Sequence, residues 1–171
     1  INYREKKAFP EMDPYDLALR LLGLLGSSTA AILQTIKGVI KRLEQMENTQ
    51  DELAQWQEIQ GVAESITQDA KATELLTVLK QGFALMKKVS AKRKAVILTE
   101  SVETQKMLQR LLSQEYTTLS YNGSTDYSVI RRFKEEGEVL ISTDNGAKGF
   151  NLEDSAFVVH YDLLYNTLKM E

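Results

Sequence analysis

Near residue 94 the hydrophobic period of this chain changes, and a polypeptide that reads first in helical period and then as short apolar runs has few ways to fold. Everything up to about Ser90 reads helical. Asp13 is an N-cap with Pro14 at the first helical position, where a missing N–H costs nothing. Leu17, Leu21, Leu24 and Leu25 follow until Gly26, a reasonable stop. Ser27 and Ser28 cap a second helix whose stripe is Ile32, Ile36, Val39, Ile40, Leu43 and Met46. A third, more polar segment carries Asp51 and Glu52 in its first turn, then Trp56, Ile59 and Val62, with Trp56 as a packing anchor. The fourth begins near Asp69 and sets Ala72, Leu75, Leu76, Leu79, Phe83 and Met86 on one side. This half is expected to be a set of antiparallel helices with short connections.

Beyond it, Ala95–Thr99 (AVILT) is a short apolar run that reads as a buried parallel strand. Ser101 caps a helix with Val102, Leu108, Leu111 and Leu112 on its inner side. Tyr116–Leu119, Glu138–Ser142 and Phe157–His160 are three further strands, with a short helix (Val129, Ile130, Phe133) ended by Gly137. Strands alternating with helices mean βαβ units, hence an α/β fold with a parallel sheet flanked by helices. The expected division is a helical subdomain, 1–94, and an α/β lobe, 95–171. Ligands of such sheets bind where strand carboxyl ends meet loops and helix N-termini. That rule points to Glu100–Ser101, Gly123–Thr125 and Thr143–Asn151.

Composition narrows the chemistry. There is no cysteine and one histidine, His160, so disulfides, thiolate metal sites and multi-histidine sites are out. His160, at a strand end, reads as a near-core histidine. No apolar run approaches the roughly 20 residues that span a bilayer, the first segment is too polar for a signal peptide, and a cytoplasmic protein without membrane contact is expected. Residues 1–94 hold 14 basic and 12 acidic side chains, residues 95–171 hold 7 and 12. A basic cluster (Lys87, Lys88, Lys92, Arg93, Lys94) marks the junction and reads as a solvated helix end, with phosphate contact as the other option.

No complete catalytic set is visible: no P-loop signature, no HExxH, no GxSxG. Asp51-Glu52-Leu53-Ala54 lacks the hydrophobic strand that a Mg²⁺-binding acidic box needs in front of it. The informative stretch is Ser142-Thr-Asp-Asn-Gly-Ala-Lys-Gly-Phe-Asn-Leu152, where two hydroxyls at a strand end precede Gly146 and Gly149. Such a loop can wrap a phosphate with N–H groups and hydroxyls. Gly123-Ser-Thr125 is the same kind of signal after another strand. Either could also be an ordinary turn.

Taken in order, these segments resemble the second RecA-like lobe of superfamily 2 helicases, closest to the Swi2/Snf2 (SNF2) group. Ala95–Ser101 (AVILTES) is similar to motif IV, and Leu119–Thr125 (LSYNGST) to the YxxLxGST segment. Arg131-Arg-Phe133 sits where an IxxF helix follows. Val139–Leu152 (VLISTDNGAKGFNL) resembles motif V, and Phe157–Asn166 (FVVHYDLLYN) the VINYDLPWNP that comes after it. Asp69–Leu76 is similar to the helix before motif IV; Leu19–Ile36 resembles, more loosely, a bacterial SNF2-like segment. Lys148 replaces an acidic residue common in bacterial motif V, and Leu164, Tyr165 and Thr167 replace Pro, Trp and Pro. Glu171 aligns with the Glu that opens motif VI, so the chain is expected to be a fragment without that motif.

The resemblance implies a P-loop-NTPase-type RecA-like lobe of a DNA-dependent ATPase, with ATP and Mg²⁺ as cofactors of the full-length parent and neither expected on the fragment, which is expected to be inactive alone. Gly123, Ser124, Thr125, Ser142 and Thr143 would contact nucleic-acid phosphates. Gly146, Gly149 and Asn151 would face the nucleotide cleft, and Asp144 would brace the loop. The implied partners are double-stranded DNA and the first RecA-like lobe. Two other readings remain at this point: a stand-alone nucleotide- or phosphosugar-binding enzyme, and a helical interaction module on an inert α/β scaffold.

Overall fold

A computed structural model describes residues 7–143 and 157–162. The chain divides into two compact units, Ile1–Asp69 and Ala70–Glu171.

The first unit contains α1 (Pro14–Ser27), α2 (Thr29–Leu43) and α3 (Gln50–Ser65). The Asp13 carboxylate accepts from the Tyr15 N–H at 2.8 Å. Helix α1 runs past Gly26, and Ser28 makes the corner. Its N–H donates to Leu24 O (3.2 Å), while its hydroxyl accepts from Ala31 N–H (3.1 Å) to cap α2. Ile36, Val39, Ile40 and Leu43 of α2 are buried, packing with Leu53, Trp56 and Ala63 of α3. Met46 lies beyond the end of α2, is largely exposed, and precedes Asn48, whose φ of 56° turns the chain. Glu52, in the first turn of α3, is buried. It accepts from the Lys7 and Ala8 N–H groups at 2.9 and 3.1 Å, tying the entering segment to the helix. Trp56 joins both small clusters, as an anchor should, and meets Phe9 edge-on at 6.1 Å. In α1 only Leu17 of the leucine stripe is buried; Leu25 is exposed.

The second unit runs α4 (Ala70–Lys88), β1 (Ala95–Thr99), α5 (Val102–Leu112), β2 (Thr118–Tyr121), α6 (Ser128–Glu135), β3 (Val139–Thr143) and β4 (Phe157–His160). The four strands form one parallel sheet in the order β2-β3-β1-β4. Because alternate residues of a strand face opposite ways, Ala95 and Ile97 join Leu75, Leu79, Phe83, Leu108 and Leu112 of α4 and α5. Val96 and Leu140 join Ile130 and Phe133 of α6 on the other face. The expected α/β sheet covered on both faces is present.

Several details differ from the sequence reading. Helix α4, expected with the helices before it and a boundary at 94, packs its buried stripe on the sheet, and the compact units divide between Asp69 and Ala70. Val102 opens α5 on its outer side and is exposed. Strand β2 starts at Thr118, because Tyr116 is buried against Phe83 (5.5 Å) instead of pairing. Strand β3 extends to Thr143. The junction cluster is not a uniform solvated run. Lys94 is buried, its ammonium donating to Phe133 O and, at 2.8 Å, to Gly137 O, the carbonyls at the end of α6 that favour a cation. Arg93 lies over the rings of Phe83 and Tyr116 at 4.9 and 5.6 Å and pairs with Glu138 at 3.2 Å. His160 is exposed, since alternate residues of β4 face outward.

Two helical glycines separate propensity from packing. A Cβ on Gly82 of α4 would meet the Phe157 ring at 2.8 Å, whereas one on Gly61 of α3 has nothing within 4 Å. Alanine gains about 1 kcal/mol of helix propensity at either site, but overpacking costs about 1–3 kcal/mol. Thermal melts are expected to show Gly61→Ala raising stability and Gly82→Ala lowering it. A gain of equal size in both would refute the close approach of α4 to β4.

Candidate functional site at the carboxyl edge of the sheet

Strand register lines up the residues at this edge. Tyr121 pairs with Ser142, Thr143 with Thr99, and Leu98 with His160. One step further, Asn122, Thr143, Thr99 and Tyr161 stand at neighbouring strand ends, about 4.8 Å apart. The sheet thus brings the Gly123–Thr125 loop beside Thr143, two places more than 15 positions apart in sequence.

At β1 and β4 the edge is closed by Asp162, which is buried. Its carboxylate accepts from the Thr99 hydroxyl (2.6 Å), the Glu100 N–H (2.7 Å) and the Lys71 ammonium (3.3 Å). Lys71 also sits 3.9 Å from the Tyr161 ring centroid. The Ser101 N–H donates to Thr99 Oγ1 (3.3 Å), and the Ser101 hydroxyl caps α5 through Thr104 N–H (3.2 Å). The donors at this strand end are therefore already turned onto an internal anion. Motif-like residues Glu100 and Ser101 serve the fold here.

At β2 and β3 the edge is organised by two amides. Gln105 is buried on α5; its Nε2 donates to Tyr121 O and Ile141 O, both at 2.8 Å, and its Oε1 accepts from Asn122 Nδ2 at 3.0 Å. Asn122 Oδ1 then receives Ser124 N–H (3.1 Å), the Ser124 hydroxyl (2.7 Å) and the Thr125 hydroxyl (3.1 Å). A carbonyl oxygen has two lone pairs, so three donors crowd one acceptor. At least one hydroxyl proton is free to turn toward a ligand at small cost. Gly123 and Ser124 are exposed and Thr125 is half-buried. Asp126, next in the chain, has its carboxyl held below the ordinary range by the Ser128 hydroxyl and N–H. That contribution to the start of α6 is present above the usual carboxylate value and fades as pH falls.

Of the β3 candidates, Thr143 is almost wholly buried and Ser142 wholly so, the Ser142 hydroxyl donating to Thr143 O at 3.2 Å. Asp144, Gly146, Lys148, Gly149 and Asn151 lie outside the described residues. Gln105, Lys71 and Asp162 were not singled out from the sequence. A signal for Gln105 existed: an amide at a position that faces the sheet, between Ser101 and Leu108, is unusual unless it has work for its hydrogen bonds.

The Asp162 brace makes a stability prediction. Asp162→Ala leaves the Thr99 hydroxyl and Glu100 N–H without their acceptor, a loss of about 2–3 kcal/mol for hydrogen bonds to a charged group. Amide hydrogen exchange in β1 should accelerate accordingly, and a cycle with Thr99→Val should show coupling of about 1 kcal/mol or more. Strict additivity would mean that Asp162 does not hold this edge.

No curated protein sequence matches the chain. The solved helicase domain of Pyrococcus furiosus Hef is similar at 16% identity with a TM-score of 0.53, over 87% of this chain and 33% of that one. The C-terminal part of the Fun30 ATPase domain gives 13% identity and a TM-score of 0.49, over 94% and 65%. Domain 2 of the DEAD-box helicase Mss116p, solved bound to an RNA duplex, gives 21% identity and 0.42, over 53% and 39%. The chain spans about a third of the Hef structure. The model of the helicase conserved C-terminal domain matches residues 70–171, more than half of the sequence and the whole of the second unit: the chain belongs to the helicase C-terminal domain family.

Proposed function

We propose that the chain is part of the second motor lobe of a Swi2/Snf2-type ATPase that moves along nucleic acid, double-stranded DNA in the first instance. The observation that carries the reading is the placement of Gly123–Thr125 beside Thr143 at adjacent carboxyl ends, the loop held ready by Asn122. In the proposal Gly123, Ser124, Thr125 and Thr143 contact backbone phosphates through N–H and hydroxyl groups, which grips any sequence equally. Ser142, turned inward onto Thr143 O, fixes the strand end instead of touching the ligand.

In the proposal grip and cleft are close in sequence: Thr143 ends β3, and the segment with Gly146, Gly149 and Asn151, assigned here to the nucleotide cleft, follows within eight residues. Phosphoryl transfer needs charged groups on both sides of the phosphates. The proposal gives Mg²⁺ and the catalytic carboxylates to the first lobe. The helicase-lobe family membership and the order of the motif-like segments support this assignment.

The test is substitution in the parent ATPase. Thr125→Ala and Thr143→Ala together should lower nucleic-acid-stimulated ATP hydrolysis by about 100-fold or more at sub-saturating nucleic acid, two lost hydrogen bonds to a charged group being worth roughly 1.5 kcal/mol or more each. Stimulation equal to that of the unsubstituted protein would end the motor reading.

A further inference from the structure

Beside the Asn122 loop a groove of about 390 Å³ runs between α5 and β2, lined by Val102, Gln105, Lys106, Gln109, Arg110, Ser120 and Asn122. Among the described residues, strand β2 lies at one edge of the sheet. Gln109 Nε2 donates to Thr118 O at 3.0 Å, and the Ser120 hydroxyl donates to Gln109 Oε1. What remains on offer is a polar floor beneath two cations.

Lys106 and Arg110 stand one turn apart on the exposed side of α5, about 6 Å along the axis. That is the scale on which phosphates follow one another along a strand. Among the described residues no acidic side chain lines the groove. Glu103 pairs with Lys106 at 2.8 Å across a partly exposed contact, and such pairs are weak and exchangeable. The Arg110 Nε donates to Lys106 O at 3.3 Å. The groove shares Gln105 and Asn122 with the network that holds Gly123–Thr125, so it continues the line of that loop.

We propose that this groove extends the nucleic-acid track past the loop, with Lys106 and Arg110 neutralising backbone phosphates and the Gln109–Ser120 floor facing the sugar–phosphate chain. The assignment rests on the nucleic-acid reading above and adds a contact outside the motif-like segments. It predicts a charge-dominated, sequence-independent contribution to binding.

The test is fluorescence anisotropy of labelled duplex DNA, duplex RNA and single strands with the 171-residue chain over a salt series. Lys106→Ala with Arg110→Ala should weaken binding about tenfold near 0.1 M salt and lower the log–log salt slope by about 1.4–1.8, at 0.7–0.9 per lost phosphate contact. Lys106→Gln with Arg110→Gln, which removes the charges but keeps polar side chains, should behave alike, and melting temperatures should stay unchanged because both residues are exposed. The arm with the largest slope change identifies the nucleic acid. If these variants match the unsubstituted chain while Thr125→Ala with Thr143→Ala binds more weakly, the groove assignment is overturned and the motor reading stands. If neither pair alters binding, or the unsubstituted chain binds none of the probes, both fail.

Discussion

The parallel pairing of Ala95–Thr99 with Val139–Thr143 is the contact on which the rest of the second unit depends. Both strands are central and covered on both faces, so their register decides which residues reach the carboxyl edge together. A slip of one residue would turn every side chain to the opposite face. It would also part Thr143 from Thr99. The buried apolar side chains Val96, Ile97, Leu140 and Ile141 leave that register no freedom.

On this base the two halves of the edge have different electrostatic characters. Toward β4 an internal carboxylate, Asp162, consumes the donors of Thr99 and Glu100. Toward β2 the organising groups are the neutral amides Gln105 and Asn122, and they leave hydroxyl donors and cations at the surface. An anion arriving at the edge finds the donors already engaged on one side and hydroxyl donors on the other. The grouping of α4 with the sheet alters the charge as well. Residues 95–171 carry 7 basic and 12 acidic side chains, but residues 70–171 carry 14 and 13, so the lobe is not acidic. Two of those added cations, Arg93 and Lys94, are engaged with rings, carbonyls and Glu138 inside the fold.

Much of the fold was legible because its signals are local. Asp13, Ser28 and Ser101 cap the helices they precede, and the AVILT and FVVH runs are strands. What escaped depends on partners distant in sequence. The stripe of α4 shows that it buries a face, but not that the face meets β1 and β3. Ser90 ends α4's exit in a left-handed conformation, φ 55°, where glycine or asparagine would have announced it. Tyr116 has strand propensity, yet stacking on Phe83 takes it out of β2. The candidate loop Gly123–Thr125 was readable from its residue types; the amide of Gln105 that holds its base, 17 residues before Asn122, was not.

The central claim is that phosphate is gripped where β2 and β3 end. Amide chemical-shift mapping of the 171-residue chain, titrated with a short duplex at low and moderate salt, addresses it most directly. The account predicts salt-sensitive shifts concentrated at Gly123, Ser124, Thr125 and Thr143, with little change at the opposite ends of the strands near Lys94 and Thr117. Shifts confined to those opposite ends or to the helices of the first unit would contradict it.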